Sequence, residues 1–209
     1  YDGLDEEQRV SQEPLDPLAF PDAAALQQPG ALGRLGISVP SSDVDGDGDL
    51  DRLWVFGSRS VSIFDAAGGL VWDSGDAMEQ VTAAAHPGSF NASHDANPSF
   101  DNRSDNKGPE PEGLAVGSAF GTRYLFVGLE RVGGFMVWDV GDPTAPVQWG
   151  YVNPRDFGGD PEAGTADDLG PEGLLFVTAA DSPTGNPLVV VTHEISGTVS
   201  IYELTLAPV

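Results

Sequence analysis

Apolar residues along this chain come in short runs cut at frequent intervals by glycine, proline, asparagine and aspartate. Such runs, rich in valine, leucine, phenylalanine and tryptophan, predict many β-strands and few helices. Strands are expected over 35–39, 52–57, 60–65, 69–73, 114–116, 124–129, 135–140 and 147–152, and again between 174 and 206. A turn at Ser58-Arg59 joins the second and third of these. Two patches break the strand pattern: 23–28 predicts a short helix, and 77–85 a short helix or an irregular segment.

One pattern returns. Gly108-Pro109-Glu110-Pro111-Glu112-Gly113 opens a segment that recurs, shortened, at Gly170-Pro171-Glu172-Gly173. Counted back from the ends without a gap, Trp138 matches Tyr202, Gly133 matches Gly197 and Glu130 matches Glu194. A unit repeated in this way buries its apolar face against its neighbours. The first copy has four strands and reads as one propeller blade; the second shows three, and 52–73 reads as a divergent third blade.

The expected fold class is therefore all-β: about three four-stranded blades of a larger β-propeller ring, with an irregular N-terminal arm. The division is an arm or connector at 1–34, a blade with an acidic loop at 35–85, a long loop at 86–111, a blade at 112–153, an acidic loop at 154–169 and an incomplete last blade at 170–209. The polar arm is expected to lean on another element through Leu15, Leu18 and Phe20 and to bury no core of its own. The last blade must take its fourth strand from elsewhere, as when a propeller closes with a strand from the opposite end of the chain.

Charge narrows the function classes. The 209 residues carry 9 Lys and Arg against 33 Asp and Glu, a net charge of -24, which repels nucleic-acid phosphates and anionic membranes. A hydrophobic content of 40% suffices for a buried core. No apolar run is long enough for a transmembrane helix, and the acidic, loop-like start at Tyr1 reads as the middle of a longer chain. The absence of cysteine removes disulfides, thiolate ligands and cysteine nucleophiles, and fits an exported protein. The long loop holds the glycosylation sequons Asn91-Ala92-Ser93 and Asn102-Arg103-Ser104.

The sharpest chemical signal is Asp43-Val44-Asp45-Gly46-Asp47-Gly48-Asp49-Leu50-Asp51. Asp43, Asp45, Asp47 and Asp51 stand at the first, third, fifth and ninth positions, with Gly48 at the sixth for a tight turn and Asp49 between. That spacing wraps carboxylate oxygens around a hard cation, so Ca²⁺ is the expected ligand. Without a cation, the crowded carboxylates repel one another. Trp54 occupies the twelfth position, where an EF-hand has glutamate, and the loop resembles the calcium loops that join strands in integrin-type propeller blades. Its expected role is structural, pinning a hairpin.

Arg34-Leu35, the 43–51 loop, Phe56-Gly57-Ser58-Arg59-Ser60, Val71-Trp72-Asp73-Ser74-Gly75, the stretch from Arg103 to Gly113, Gly128-Leu129-Glu130-Arg131 and His193-Glu194-Ile195-Ser196-Gly197-Thr198 together resemble the choice-of-anchor I family. The likeness spans nearly the whole chain; Asn106 stands where the family pattern has aspartate. It implies a secreted or surface-anchored protein, related to mesenchyme-specific cell surface glycoproteins. It also implies further blades before Tyr1, supplied by an N-terminal fragment of the same precursor or by another chain. Some members carry an alkaline phosphatase or phytase-like label.

In a propeller, the starts of inner strands face the central channel, which places Glu112 and Glu172 near one mouth and turns Glu130 and Glu194 toward a common face. With Arg103, Lys107, Glu110, Arg131 and His193 they form a candidate channel cluster for a metal or phosphate. The competing account is that each glutamate fixes a loop by accepting backbone hydrogen bonds or pairing with arginine. His86 and His94 have no zinc-like spacing partner, and neither Ser104 nor Ser196 has a base at nucleophile-elbow spacing. The leading expectation is an extracellular calcium-binding propeller part with a binding, adhesion or surface-assembly role. The alternative is a metal-dependent phosphoesterase whose channel glutamates hold Ca²⁺.

Overall fold

The computed structural model describes residues 6–57 and 59–206, so Ser58 of the expected Ser58-Arg59 turn lies outside the described residues. The chain divides into two compact units, residues 1–58 with 104–107 and residues 59–103 with 108–209. The division falls inside the stretch 35–85, so the aspartate loop and the hairpin that follows it belong to different units.

In the first unit, β1 (Glu7–Arg9) pairs antiparallel with β2 (Gly36–Ser38), with Gln8 opposite Ile37. The N-terminal stretch does more than lean on a neighbour: Val10 and Leu15 form a small core with Ile37 and Leu50. Phe20 packs on that core, while Leu18 is 91% exposed. Helix α1 (Ala23–Leu26) is shorter than the alanine-rich patch and is capped by Gln27, whose Nε2 donates to the carbonyls of Val10 at 3.1 Å and Glu13 at 2.7 Å. The strand expected over 52–57 does not form. Only Val55 makes a bridge, to Ile37, and Gly57 at φ 80° takes the chain out of the extended region. One helical turn, α2 (Val39–Ser42), leads into the aspartate loop.

The second unit is built on three antiparallel sheets. β3 (Ser62–Phe64) and β4 (Leu70–Asp73) form a hairpin whose turn is closed by Asp65 Oδ1, which accepts from the amides of Ala67 and Gly69 at 2.8 Å each. Helix α3 (Ala77–Ala85) follows, alanine-rich with Glu79 in its first turn, and buries Met78 and Thr82. The strands β5 (Pro111–Ala119), β6 (Thr122–Leu129), β7 (Phe135–Asp139) and β8 (Val147–Val152) make a four-stranded meander in sequence order. Three more, β9 (Pro171–Val177), β10 (Leu188–His193) and β11 (Thr198–Glu203), repeat the first three of those strands. All-β architecture thus holds, with sheets of two, three, two and four strands among the described residues.

Backbone hydrogen bonds establish the repeat. The Glu130 amide donates to Glu110 O at 2.9 Å and that of Gly133 to Leu129 O at 2.8 Å; in the second copy, Glu194 donates to Gly170 O at 2.8 Å and Gly197 to His193 O at 2.9 Å. Because strand side chains alternate between faces, each sheet has two rows to bury. One row of the four-stranded sheet, including Leu125, Val127, Leu129, Met136 and Trp138, packs with Val61 and Met78. The other row, with Tyr124, Phe126, Phe135 and Val137, packs on Val189 and Val191 of β10. Phe126 stacks on Phe176 at 5.9 Å, and Phe135 meets Tyr202 edge-on at 5.0 Å.

Glycines set how closely the two sheets approach. A Cβ on Gly113 would fall 2.2 Å from Glu172 O, and one on Gly117 would fall 2.2 Å from Cγ of Phe176. Gly113, the last residue of the repeated motif, is thus a close-approach position. Gly117→Val should overpack this seam and destabilise the fold by about 1–3 kcal/mol. A lowered urea midpoint with an unchanged slope is the expected result, whereas a midpoint equal to that of the parent would contradict the packing.

Candidate functional site

The hairpin between β6 and β7 and the segment leading into β5 meet at a cluster of charged groups. Glu110, Glu112 and Glu130 each offer a carboxylate oxygen, and these oxygens lie within 4.8 Å of one another. Glu110 and Glu130 are buried and Glu112 is exposed. The Arg131 Nε donates to Glu110 in a very short ion pair, and its Nη1 lies 3.1 Å from Glu130 Oε1. His94 Nδ1 is 3.0 Å from the same Glu130 oxygen, and Arg131 Nη1 is 2.6 Å from His94 Nδ1. Burial opposes a charge on Glu130, but hydrogen bonds with His94 and Glu112 and the Arg131 guanidinium prevail and hold its pKa down at about 2.

Glu110 occupies its place at a cost. Its φ is 55°, in the left-handed region, and the matching residue of the second copy is Gly170 at φ 69°. A side chain there is disfavoured by roughly 1–2 kcal/mol relative to glycine. Backbone strain of this kind marks positions where a side chain is needed for something other than local stability.

Arg155 holds the loop that brings His94 in. The buried guanidinium donates from Nη1 to Arg131 O at 3.0 Å and from Nη2 to Ser93 O at 2.8 Å, Ala96 O at 3.1 Å and Asn97 Oδ1 at 2.7 Å. Its Cζ lies 4.7 Å above the Phe157 ring, and burial lowers its pKa to about 10. Neither His94 nor Arg155 is marked by sequence spacing. Their partners lie tens of residues away, and the only available hint is the length of the 86–107 loop.

The second copy departs from the first at the same place. His193 replaces the buried Leu129, and its ring is buried with no hydrogen bond at either nitrogen; Nε2 is 3.6 Å from Asp168 Oδ2. Burial lowers the His193 pKa, opposed by the Asp168 charge. Burial also opposes ionisation of Asp168, but hydrogen bonds from Ser200 and Thr198 outweigh it and lower its pKa. Glu172 and Glu194 are exposed and stand outside the carboxylate cluster. Arg103 lies where it favours the Asp95 carboxylate, and Lys107 belongs to the first unit.

In the aspartate loop, carboxylate oxygens of Asp43, Asp45 and Asp51 lie within 4.8 Å of one another. Left-handed Gly46 (φ 80°) and Gly48 (φ 98°) allow the wrap, and their amides donate to Asp43 at 2.7 and 3.2 Å. Asp47 and Asp49 stand outside that group; Asp47 Oδ1 accepts from the Asp49 amide at 3.1 Å. The Asp47 amide hydrogen bond lowers the Asp45 pKa, but repulsion from Asp47, Asp51 and Asp43 together with burial outweighs it, and the pKa is raised. Burial and repulsion from Asp47 raise that of Asp49. Among the described residues, no lysine or arginine forms an ion pair with these aspartates. An all-oxygen donor set with surplus negative charge fits a hard divalent cation.

The two sequons differ in accessibility. Asn91 is wholly buried and donates from Nδ2 to Glu79 Oε1 at 2.8 Å, whereas Asn102 is exposed.

Comparisons with known proteins bear on these features. The choice-of-anchor I domain matches residues 1–143. Gigasin-3a of Magallana gigas is 32% identical over 200 residues, covering 86% of this chain and 67% of that protein. The mesenchyme-specific cell surface glycoprotein of Strongylocentrotus purpuratus is 32% identical over 103 residues, covering 43% of this chain and 13% of that protein. No solved structure matches the chain.

Two substitutions test the geometry of the charged groups. Arg131→Met removes the guanidinium that pairs with two buried carboxylates and should cost on the order of 3–5 kcal/mol, read as a lowered urea midpoint; a loss within error of zero would contradict the network. His193, with a folded pKa below its ordinary 6.5, stabilises the protein above pH 6.5, and that contribution is lost as pH falls below 6.5. His193→Leu restores the residue type of the first copy and should flatten the stability profile from pH 6.5 downward. An unchanged slope there would count against a neutral buried imidazole.

Proposed function

The chain belongs to the choice-of-anchor I family, and from that premise we propose that it is a calcium-stabilised part of an extracellular β-propeller serving binding, adhesion or surface assembly. The observation that carries this reading is the convergence of Asp43, Asp45 and Asp51, with no lysine or arginine paired to them among the described residues. A divalent ion there relieves their repulsion and ties the loop shut, so its binding energy adds to the stability of the first unit. The extracellular setting draws support from the relative named a cell surface glycoprotein. No helix among the described residues is long and apolar enough to cross a membrane.

The propeller part of the proposal rests on the stacked copies. Ile201 and Val199 on β11 match Val137 and Phe135 on β7. In the first copy, that row is buried against the next sheet, whereas Val199 and Ile201 are 61% and 65% exposed. An identical stacking step, made by a further blade from the same precursor or another chain, would cover them. In such a ring, Asn102 rather than Asn91 is the sequon available to a glycosylating host.

A second reading takes the three carboxylates of Glu110, Glu112 and Glu130 as metal ligands of a phosphoesterase, since an oxygen triad of this size fits Ca²⁺. Arg131 and His94 already engage the two buried members, which favours an internal charge network over a metal centre. Calcium-dependent phosphomonoester hydrolysis abolished by Glu112→Gln would reverse that preference.

The leading reading makes a direct prediction. Calcium at a hundredfold over its dissociation constant should stabilise the chelator-treated protein by about 2.7 kcal/mol and raise its melting temperature by several degrees. Asp45→Asn should remove most of that shift. Identical melting curves in calcium and in excess chelator would sink the proposal.

A further inference from the structure

We propose that His193 Nε2 and Asp168 Oδ2 hold a divalent transition metal of the Zn²⁺ class, which ties the segment before β9 to the β10–β11 hairpin. The inference does not rest on the calcium loop, whose aspartates belong to the first unit.

An unmet hydrogen-bonding requirement points to the site. The His193 side chain is 1% exposed, and neither ring nitrogen has a hydrogen-bond partner among the described residues. Burial of a polar group in that state is costly, so a ligand or another compensating role is called for. Nε2 faces Asp168 Oδ2 at 3.6 Å, too far for a hydrogen bond. Two ligands bound at about 2.0–2.2 Å to one tetrahedral ion stand roughly 3.3–3.6 Å apart. The observed separation lies at the upper end of that range.

The surroundings suit such a pair of ligands. Asp168 accepts from Thr198 Oγ1 at 2.6 Å and from Ser200 Oγ in a very short bond, and these donors orient the carboxylate as the outer partners of metal-binding carboxylates do. The Leu169 amide donates to Ser196 Oγ at 3.0 Å and that of Glu194 to Gly170 O at 2.8 Å, which fixes Asp168 beside the end of β10. Among the described residues, no lysine or arginine pairs with Asp168, and no third histidine or carboxylate joins the two. Burial, opposed by the Asp168 charge, lowers the His193 pKa and keeps its ring neutral, as a ligand must be. The Asp168 side chain is 21% exposed, so water enters from that side and fills the remaining coordination positions. An imidazole nitrogen selects Zn²⁺ and its neighbours over Ca²⁺, which takes oxygen ligands.

The first copy serves as an internal comparison. By the correspondence of backbone hydrogen bonds, Asp168, His193, Thr198 and Ser200 match Gly108, Leu129, Gly134 and Met136. None of those four offers an imidazole, a carboxylate or a hydroxyl. The same backbone is therefore closed by apolar residues in one copy, and the polar quartet of the other is not required by the fold. A hydrogen-bond network alone accounts for Asp168, Thr198 and Ser200, but it leaves the His193 ring out.

Nitrogen NMR of the imidazole rings in the full chain tests the site, with excess calcium present to occupy carboxylates that prefer a hard ion. The chain has 3 histidines, so each ring can be followed by itself. Stoichiometric Zn²⁺ should shift Nε2 of His193 and leave His86 in place. Asp168→Asn should abolish the shift. Ser200→Ala keeps both ligands but removes an outer donor, and should weaken zinc binding by about tenfold or more. Unmoved His193 signals in the parent chain at excess Zn²⁺ would overturn the proposal and assign the ring a water instead. A zinc response confined to His94, or one that survives Asp168→Asn at full strength, would overturn it too.

Discussion

Compensation of crowded carboxylates is the constraint on which the charged half of this structure depends. With 33 acidic and 9 basic residues, few carboxylates can have a cationic side chain as partner. Where two are buried together, as Glu110 and Glu130 are, Arg131 pairs with both and His94 meets Glu130. Where three converge near the surface, as Asp43, Asp45 and Asp51 do, backbone amides supply the hydrogen bonds found among the described residues, and the surplus charge remains. One negative cluster is therefore satisfied from within the chain, and on our proposal the other is satisfied from the solvent.

The same constraint explains why two copies of one backbone unit have diverged. Each copy closes its β-hairpin with the same hydrogen bonds, so the fold does not require a glutamate at position 110; glycine serves at 170. The first copy accepts a left-handed glutamate and gains an ion pair with Arg131. The second keeps the relaxed glycine and instead places His193, Asp168, Thr198 and Ser200 where the first is apolar. Between the copies, Gly113, Gly117 and the aromatic seam set the distance between sheets.

Much of the strand pattern was legible in the sequence because alternation and repetition are local signals. Residues 124–129 and 135–140 read as strands and pair as β6 and β7, and the match of Glu130 with Glu194 reappears in the hydrogen bonds. Residues 52–57 misled because an apolar run flanked by polar residues has the same appearance whether or not a partner strand is available; Val55 finds only Ile37. Leu15 was expected to pack, but Val10 was hidden in a polar stretch whose core is assembled from four separated positions. In the site, Glu110, Glu112, Glu130 and Arg131 were legible from the motif and its echo. His94 and Arg155 were not, since their roles depend on how a long loop folds back through the carbonyls of Ser93 and Ala96.

The most direct test of this division between internal and external compensation is a crystal structure grown in calcium, with the anomalous signal used to locate ions. The account predicts one ion bound by Asp43, Asp45 and Asp51 at about 2.3–2.6 Å, and none among Glu110, Glu112 and Glu130. An aspartate loop without an ion in millimolar calcium, or an ion displacing Arg131 from the glutamates, would contradict it.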